Sequence, residues 1–363
     1  MNPAAAGIAG EIRRAGPISF ARFMELALYG EGGYYRSVRT GKAGDFITSV
    51  TVGSCFGDLL AEQVFLSWQR LGAPAGFDLI EQGAGDGVLM GDVLRALHQR
   101  HPDCLAAASI HLVEPLAEMA VQQRQTLAGS SRPAIWHHGW SSVRSDLAIF
   151  FCNELLDAFP VHRLLRQNAA WVELAVTLDS EGAFSWCKRP ISCPHVQELA
   201  QRLPALPDGY RTEVCPGIGT WLQGLSAAIR SGHLFIVDYG LPGSEYYAAE
   251  RPDGTLRGYR NHRQAAEVLT AVGETDLTTH VNWTQVAEMA AVLGWHAALP
   301  VSQGKFLTTL AAPRLRAMPA RPPAPAIAQW LRQFQTLTHP AHLGQRFQVL
   351  HLRRSGAAGD RSS

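Results

Sequence analysis

A glycine-rich turn between a strand pattern and a helix pattern constrains the fold of this chain more than any other feature. The apolar run 77–81 leads directly into the turn 83–87 (GAGDG), and the next apolar run, 109–113, ends in Glu114. Glycines let a backbone approach a ligand closely, and the helix that follows presents a positive end to it. An acid that closes the next strand can accept both hydroxyl hydrogens of a ribose. The pattern predicts a doubly wound α/β sheet that binds an adenosine-containing cofactor.

The spacing of the glycines indicates which cofactor this is. A dinucleotide fingerprint is G-x-G-x-x-G, but Val88 occupies the third glycine position, so the pattern is G-x-G-x-G with an acid inside it. Enzymes that use S-adenosylmethionine (SAM) carry this looser form, in which no pyrophosphate has to be wrapped. SAM is therefore favoured, while an NAD or FAD site and a turn without a ligand stay open as alternatives.

Composition excludes several other classes of protein. With 363 residues and 47% hydrophobic content the chain can bury a large core. The 32 basic and 31 acidic side chains nearly balance, so no nucleic-acid or anionic-membrane partner is expected. No apolar run approaches the ~18 residues of a membrane span. The six cysteines and 14 histidines form no metal-ligand pattern. The N-terminal stretch lacks a signal-peptide core, and the expectation is a cytoplasmic location.

The order of strand and helix patterns predicts the organisation of the chain. Strands are expected to begin near residues 77, 109, 134, 147, 233, 295 and 347, with an antiparallel meander inserted over 162–188. This gives a class I methyltransferase Rossmann-like sheet of seven strands, an N-terminal helical cap and inserted β-meander and helical elements. The predicted regions are a cap over 1–75, the first half of the sheet over 76–160, the meander and a helix over 161–230, the second half of the sheet over 231–354, and a disordered tail over 355–363. The second half of the sheet is expected to contain a long loop at 240–282 and a helical insertion over 311–343. A Pro/Ala linker is expected at 311–325, within this insertion.

The strand 147–152 delivers two acids to the carboxyl edge of the sheet, where open α/β folds bind their ligands. Asn153, Glu154 and Asp157 follow it directly. A guanidinium acceptor has a pKa above ~12, so it needs carboxylates that accept its N–H groups and orient it for in-line displacement. Glu154 and Asp157 have the required type and place. The alternative is a helix start, with Asn153 as its N-cap and acids in the first turn.

A series of short motifs in order along the chain resembles the MidA family of SAM-dependent methyltransferases. They are GPI-x-F at 16–20, GYY at 33–35, GDFIT at 44–48, FG at 56–57, the glycine turn, NELLDAFPV at 153–161, DYG at 238–240, GTLRGYR at 254–260, DLT-x-HVN at 276–282 and G-x-x-F at 344–347. The resemblance covers residues 10 to 352. It implies methylation of arginine in a protein, with symmetric dimethylarginine as the product of mitochondrial relatives that act in assembly of respiratory complex I.

The resemblance also implies site residues, each of which has a structural alternative: an ordinary turn, core packing, a solvated loop or a hydrogen-bonded histidine. The implied cofactor-binding residues are Gly44, Asp45, Phe46 and Thr48 in the cap, Glu81, Gly83, Gly85 and Asp86 at the methionine end, Glu114 at the ribose, and Asn153. The implied catalytic residues are Glu154, Asp157 and His280. The implied substrate-binding residues are Asp238, Tyr239, Arg257, Tyr259 and Asn282.

Three functions remain open from the sequence. The first is a protein arginine methyltransferase whose partner is a protein substrate such as a respiratory complex subunit. The second is a methyltransferase that acts on a small molecule or another side chain. The third is a SAM-binding assembly factor without turnover. A metal site and a nucleic-acid partner are not expected, and a homodimer stays open.

Overall fold

The computed structural model describes residues 2–36, 48–261, 263–318 and 324–356. Its helices are α1 (Pro3–Ala15), α2 (Phe20–Tyr29), α3 (Cys55–Arg70), α4 (Val88–Arg100), α5 (Pro102–Ala107), α6 (Ala117–Thr126), α7 (Pro194–Gln201), α8 (Pro216–Ala228), α9 (Gly243–Tyr246), α10 (Trp283–Val292), α11 (Gln303–Arg316) and α12 (Pro325–Thr338). Its strands are β1 (Ile18–Ser19), β2 (Phe77–Gln82), β3 (Ala108–Val113), β4 (Ala134–His137), β5 (Ala148–Asn153), β6 (His162–Gln167), β7 (Ala170–Leu178), β8 (Phe184–Arg189), β9 (Arg211–Val214), β10 (Gly232–Leu241), β11 (Arg257–Arg260), β12 (Arg263–Gln264), β13 (Asp276–Thr278), β14 (Val281–Asn282), β15 (His296–Ala297), β16 (Val301–Ser302) and β17 (Phe347–Arg354).

The chain forms two compact units. The sheet unit comprises Ile47–Leu155, Leu222–Gly240 and Ala287–Ser363, and the meander unit comprises Met1–Phe46, Leu156–Trp221 and Leu241–Val286. None of the helices in the described ranges combines the length and the apolar composition that crossing a bilayer requires. The domain boundaries inferred from the sequence stay a prediction.

The central sheet has nine strands among the described residues, and seven of them form the expected path. Its order is β15-β17-β10-β5-β2-β3-β4 among the described strands. Strands β10, β5, β2, β3 and β4 run parallel, and β17 is antiparallel to β10. Because Gln82 aligns with both Val113 and Cys152, and Val237 aligns with Asn153, the carboxyl ends of four adjacent strands meet at one edge. The Rossmann-like fold is confirmed.

The central strands read as continuous apolar runs because helices cover both of their faces. All of β5 except its last residue is buried, including Phe150 and Phe151. Helix α3 contributes Phe56, Leu60 and Val64 to the same core, and each is at most 1% exposed. Burial of such side chains stabilises the fold by about 1.5–3 kcal/mol each.

The meander unit confirms the antiparallel meander. Its sheet has the order β1-β7-β6-β9, with β8 paired to β7, and a smaller sheet has the order β12-β11-β13. Asn168 and Ala169 form the turn between β6 and β7, with φ values of +52° and +57°. Both central residues of a type I′ hairpin turn have positive φ. The Asp208 carboxylate accepts hydrogen bonds from both backbone N–H groups, which stabilises this conformation.

Three regions differ from the sequence-based expectation. Within the predicted helical cap, helix α1 was not expected individually; the Asn2 side chain caps it by accepting from the Ala4 N–H at 2.8 Å. The expected linker at 311–325 begins instead inside α11, which buries Leu307, Leu310 and Ala311. Residues 311–325 were expected to form a linker because they are rich in Ala and Pro, and because the apolar residues at helical spacing lie mainly before residue 311. The expected loop at 240–282 contains the short helix α9 and the strands β11–β13.

Candidate active site

The glycine turn after β2 has the backbone conformation that the sequence pattern requires. Gly83, Gly85 and Gly87 have φ values of +71°, +52° and +85°, which disfavour any residue with a Cβ. A Cβ on Gly83 would also lie 2.9 Å from Leu155 Cδ1. The Asp86 carboxylate accepts a hydrogen bond from the Val88 N–H at 3.2 Å, where α4 begins. The turn therefore presents backbone and one acid at the sheet edge.

Glu81 is a buried carboxylate just before the turn. It is 1% exposed, and its Oε2 has no hydrogen-bond partner among the described residues. Burial, with a smaller contribution from the nearby Asp86, raises the pKa of Glu81 to about 8. A buried carboxylate with an unpartnered oxygen is costly to ionise, and a cationic ligand group would lower that cost. SAM carries a sulfonium and an ammonium group, so Glu81 fits a SAM site.

Glu114 follows the last residue of β3, and its carboxylate is held from two directions. Its Oε1 accepts from the Leu116 N–H and its Oε2 from the Gln123 amide, each at 2.9 Å. Burial raises its pKa. Each carboxylate oxygen can accept more than one hydrogen bond, so both remain able to accept from ribose hydroxyls.

The sequence analysis missed the role of Gln123. Its amide also donates to the Gly85 carbonyl at 3.0 Å, and its Oε1 accepts from Trp136 Nε1 at 3.1 Å. A single buried side chain thus joins the acid to the glycine turn. No local pattern marks this residue, because its importance depends on how α6 packs.

Glu154 sits in a strained turn after β5. Its φ is +52°, an uncommon value for a residue with a side chain, and its N–H donates to the Val237 carbonyl at 2.9 Å. Its Oε1 accepts from the Asn153 amide at 2.8 Å. The alternative of a helix start does not hold, because no helix begins between Asn153 and Pro160. Such strain is frequent at functional sites.

Asp238 stabilises the turn that carries Glu154. Its carboxylate accepts from the Leu155 N–H at 3.1 Å and from the Tyr239 N–H at 2.8 Å, and the residue is fully buried. The ring of Tyr239 packs 4.1 Å from that of Phe347, measured between centroids. The structure therefore places both residues beside the turn, in contact with protein groups.

The carboxyl edge of the sheet brings together one group of the predicted residues. They are Glu81, Gly83, Gly85, Asp86, Glu114, Asn153, Glu154, Asp238 and Tyr239, all in the sheet unit. Thr48 belongs to this unit also, where its side chain accepts from the Thr51 N–H at 3.2 Å. Gly44, Asp45 and Phe46 lie outside the described residues.

The remaining predicted residues belong to the meander unit. Asp157 is 5% exposed, and its carbonyl accepts from the Thr279 N–H at 2.9 Å. Arg257 and Tyr259 lie on β11, while the Asn282 side chain accepts from the Gln285 N–H at 3.2 Å and caps α10. Burial, followed by the charges of Arg251 and Arg257, lowers the pKa of His280 to about 4. His280 is therefore neutral at pH 7.

Comparison with known proteins agrees with this geometry. The family model described as a putative S-adenosyl-L-methionine-dependent methyltransferase matches residues 59–301. A protein from Burkholderia thailandensis, solved bound to S-adenosyl-homocysteine, is 28% identical, with a TM-score of 0.84 over 99% of this chain and 95% of that one. The fold and the site define a SAM-dependent methyltransferase, and SAM is its cofactor.

The chain belongs to this methyltransferase family, and its predicted resemblance to the MidA family is confirmed. It is 30% identical to the zebrafish (Danio rerio) protein arginine methyltransferase NDUFAF7, mitochondrial, over 94% of this chain and 84% of that protein. It is 28% identical to the human (Homo sapiens) protein of that name, over 94% of this chain and 81% of that protein. These names imply a protein substrate for such enzymes.

The expectation of a cytoplasmic location is wrong. The zebrafish, rat and human relatives are all named as mitochondrial proteins. That expectation came from composition and from the N-terminal stretch alone, and neither identifies a compartment.

Proposed function

We propose that this enzyme transfers methyl groups from SAM to arginine side chains of a protein substrate, and that Glu154 binds the acceptor guanidinium. One observation carries the proposal: the Glu154 turn is held at the carboxyl edge of the sheet in a left-handed conformation by Val237 and Asp238. The names of the relatives support arginine as the acceptor.

The residues of the chain have separate tasks in this proposal. When bound, SAM supplies an electrophilic methyl group. Glu114 binds the ribose, while Glu81, Asp86 and the glycine turn bind the methionine end. Glu154 accepts N–H groups of the protonated guanidinium and fixes one nitrogen in line for displacement. Asp157 is proposed as a second carboxylate for the acceptor, and neutral His280 as the acceptor of the released proton.

The test is transfer of labelled methyl from SAM to proteins of the host lysate. Wild-type protein should label a band that mass spectrometry maps to arginine. Glu154→Gln should keep the rise in melting temperature that SAM causes and lose the label, because it keeps shape but loses charge. Asp86→Arg should lose both, since it disrupts the cofactor turn. Transfer by Glu154→Gln at the wild-type rate would contradict the role of Glu154.

The resemblance supports finer proposals. The product is symmetric dimethylarginine and the substrate is a subunit of a respiratory complex. Independently of the resemblance, a homodimer is proposed as the oligomeric state. Asp238, Tyr239, Arg257, Tyr259 and Asn282 are proposed to border the bound substrate. Fragmentation of the labelled peptide distinguishes symmetric from asymmetric dimethylarginine, and light scattering measures the oligomeric state. Asymmetric product or a monomeric enzyme would each contradict the corresponding proposal.

A further inference from the structure

A groove in the meander unit lies between the β6–β7 hairpin, the end of β8 and helix α7. It has a volume of about 910 Å³ and is open to solvent. Its lining includes Arg166, Trp171, Lys188, Arg189 and Ile191. None of the described residues that line it is Asp or Glu. The groove therefore has a basic and partly apolar surface, unlike the carboxylate-rich cofactor edge of the sheet unit.

Two of its three cations lack an acidic partner among the described residues. The Arg166 guanidinium lies 5.4 Å from the centroid of the Trp171 ring, and the Lys188 ammonium donates to Gln167 Oε1 at 2.9 Å. Arg189 differs, because it is paired at 2.8 Å with the buried Glu173. Arg166 and Lys188 thus give the groove a net positive charge that an anionic partner would complement.

The groove also contains a strand edge. Strand β8 pairs with β7 from the Glu173–Arg189 pair to the Leu178–Phe184 pair. Pro190 follows and has no N–H group with which to continue the pairing. Residues 170–172 of β7 pair with β6 on their other side. On the β8 side, these three residues have no neighbouring strand within the described part of the chain, and such an edge can accept an extended segment.

We infer that this groove binds an extended acidic segment of the protein substrate. The segment adds as a strand to residues 170–172 of β7, with its carboxylates on the sheet face that carries Lys188 and its alternate apolar side chains on the opposite face, against Trp171. An extended segment matches the strand edge, and acidic side chains match the charge. The assignment of this segment to the substrate rests on the proposed function, whereas binding of an acidic strand does not.

The first test measures binding of a defined peptide to the full chain. A fluorescein-labelled decapeptide of alternating Glu and Val is titrated by fluorescence anisotropy, with the Gln/Val peptide as the uncharged control. Wild-type protein should bind the Glu/Val peptide about tenfold more tightly than the control. Lys188→Glu should weaken binding about tenfold, while Arg13→Glu, at an exposed position of α1 in the same unit, should leave it unchanged.

A second peptide separates strand addition from simple charge attraction. The Glu/Val decapeptide with alternate backbone nitrogens methylated keeps its charge but loses half of its N–H donors. It should bind at least about tenfold more weakly than the unmodified peptide. Equal binding of the two peptides would overturn strand addition. Failure of wild-type protein to bind, or equal weakening by Arg13→Glu and Lys188→Glu, would overturn the groove as the binding site.

A methyl-transfer measurement tests whether the segment bound in the groove belongs to the substrate. With the protein labelled in the lysate as acceptor, Lys188→Glu should raise the KM for that acceptor about tenfold and keep kcat and SAM affinity. An unchanged KM would overturn the assignment of the bound segment to the substrate. The peptide measurements need neither SAM nor turnover, so failure of the proposed arginine methylation and failure of the groove give different results.

Discussion

The side-chain amide of Gln123 donates hydrogen bonds both to the Glu114 carboxylate, at 2.9 Å, and to the Gly85 carbonyl, at 3.0 Å. Gln123 is fully buried, so these bonds are shielded from water. The ribose-binding acid and the glycine turn are therefore fixed relative to each other before the cofactor binds. Binding energy is not spent on ordering them.

Gln123→Ala should weaken SAM binding about tenfold, because a lost buried hydrogen bond costs about 1–2 kcal/mol and leaves Glu114 held only by the Leu116 N–H. Isothermal titration calorimetry measures the dissociation constant. Gln125→Ala is the matched control, since Gln125 is an exposed glutamine of the same helix. Wild-type affinity in Gln123→Ala would mean that Glu114 is oriented without this amide.

SAM binding should release a proton from Glu81. Burial raises the pKa of Glu81 from 4.5 to about 8, so the carboxyl is largely protonated at pH 7, and a cationic ligand beside it favours the ionised form. The unliganded fold gains stability from this proton below about pH 4.5, and that stability is lost as the pH rises through about 8. Calorimetry in two buffers of different ionisation enthalpy measures the proton release at pH 7.

Glu81→Gln should abolish this release and weaken SAM binding. Glu288→Gln, at an exposed position of α10 in the same unit, should change neither quantity. If Glu81→Gln released as many protons as the wild-type protein, the released proton would come from another group, such as Glu114, whose pKa burial also raises.

His280 should make the fold less stable in acid. Its pKa in the folded chain is about 4, below the 6.5 of an ordinary histidine, so the unfolded chain binds a proton that the folded chain does not. Its contribution is fully present above about pH 6.5 and is lost as the pH falls through about 4. Between pH 7 and pH 5, the free energy of unfolding should fall by about 1–2 kcal/mol less in His280→Asn than in the wild-type protein.

Urea unfolding at the two pH values measures this difference. His195→Asn is the control, because His195 is an exposed histidine of α7 in the same unit. Equal pH dependence in His280→Asn and the wild-type protein would show that His280 titrates normally in the folded state.

The sequence sufficed for the sheet and its edge, since both are encoded by local patterns. The apolar runs and the glycine turn placed β2, β3 and β5 within one residue of their observed bounds. Gln123 could not be predicted, because its bonds depend on how α6 packs beside the glycine turn and Trp136. The left-handed conformation of Glu154 was equally hidden, since no glycine marks it and the tertiary contacts to Val237 and Asp238 stabilise it.

Asp238→Asn should impair catalysis by releasing the turn that carries Glu154. The Asp238 carboxylate accepts two backbone hydrogen bonds, whereas an asparagine has one acceptor oxygen and would turn an N–H group toward a backbone donor. The free energy of unfolding should fall by about 1–3 kcal/mol. The kcat for methyl transfer should fall more than about tenfold, because a misplaced catalytic group loses its alignment.

The matched control for this variant is Asp146→Asn. Asp146 pairs with Arg230 at the surface, with 87% of its side chain exposed, and its loss should change stability by less than about 0.5 kcal/mol. Because the Asp238 bonds go to Leu155 and Tyr239 rather than to the glycine turn, SAM affinity should change less than kcat in Asp238→Asn. Methyl transfer by Asp238→Asn at the wild-type rate would contradict the dependence of the Glu154 turn on this carboxylate.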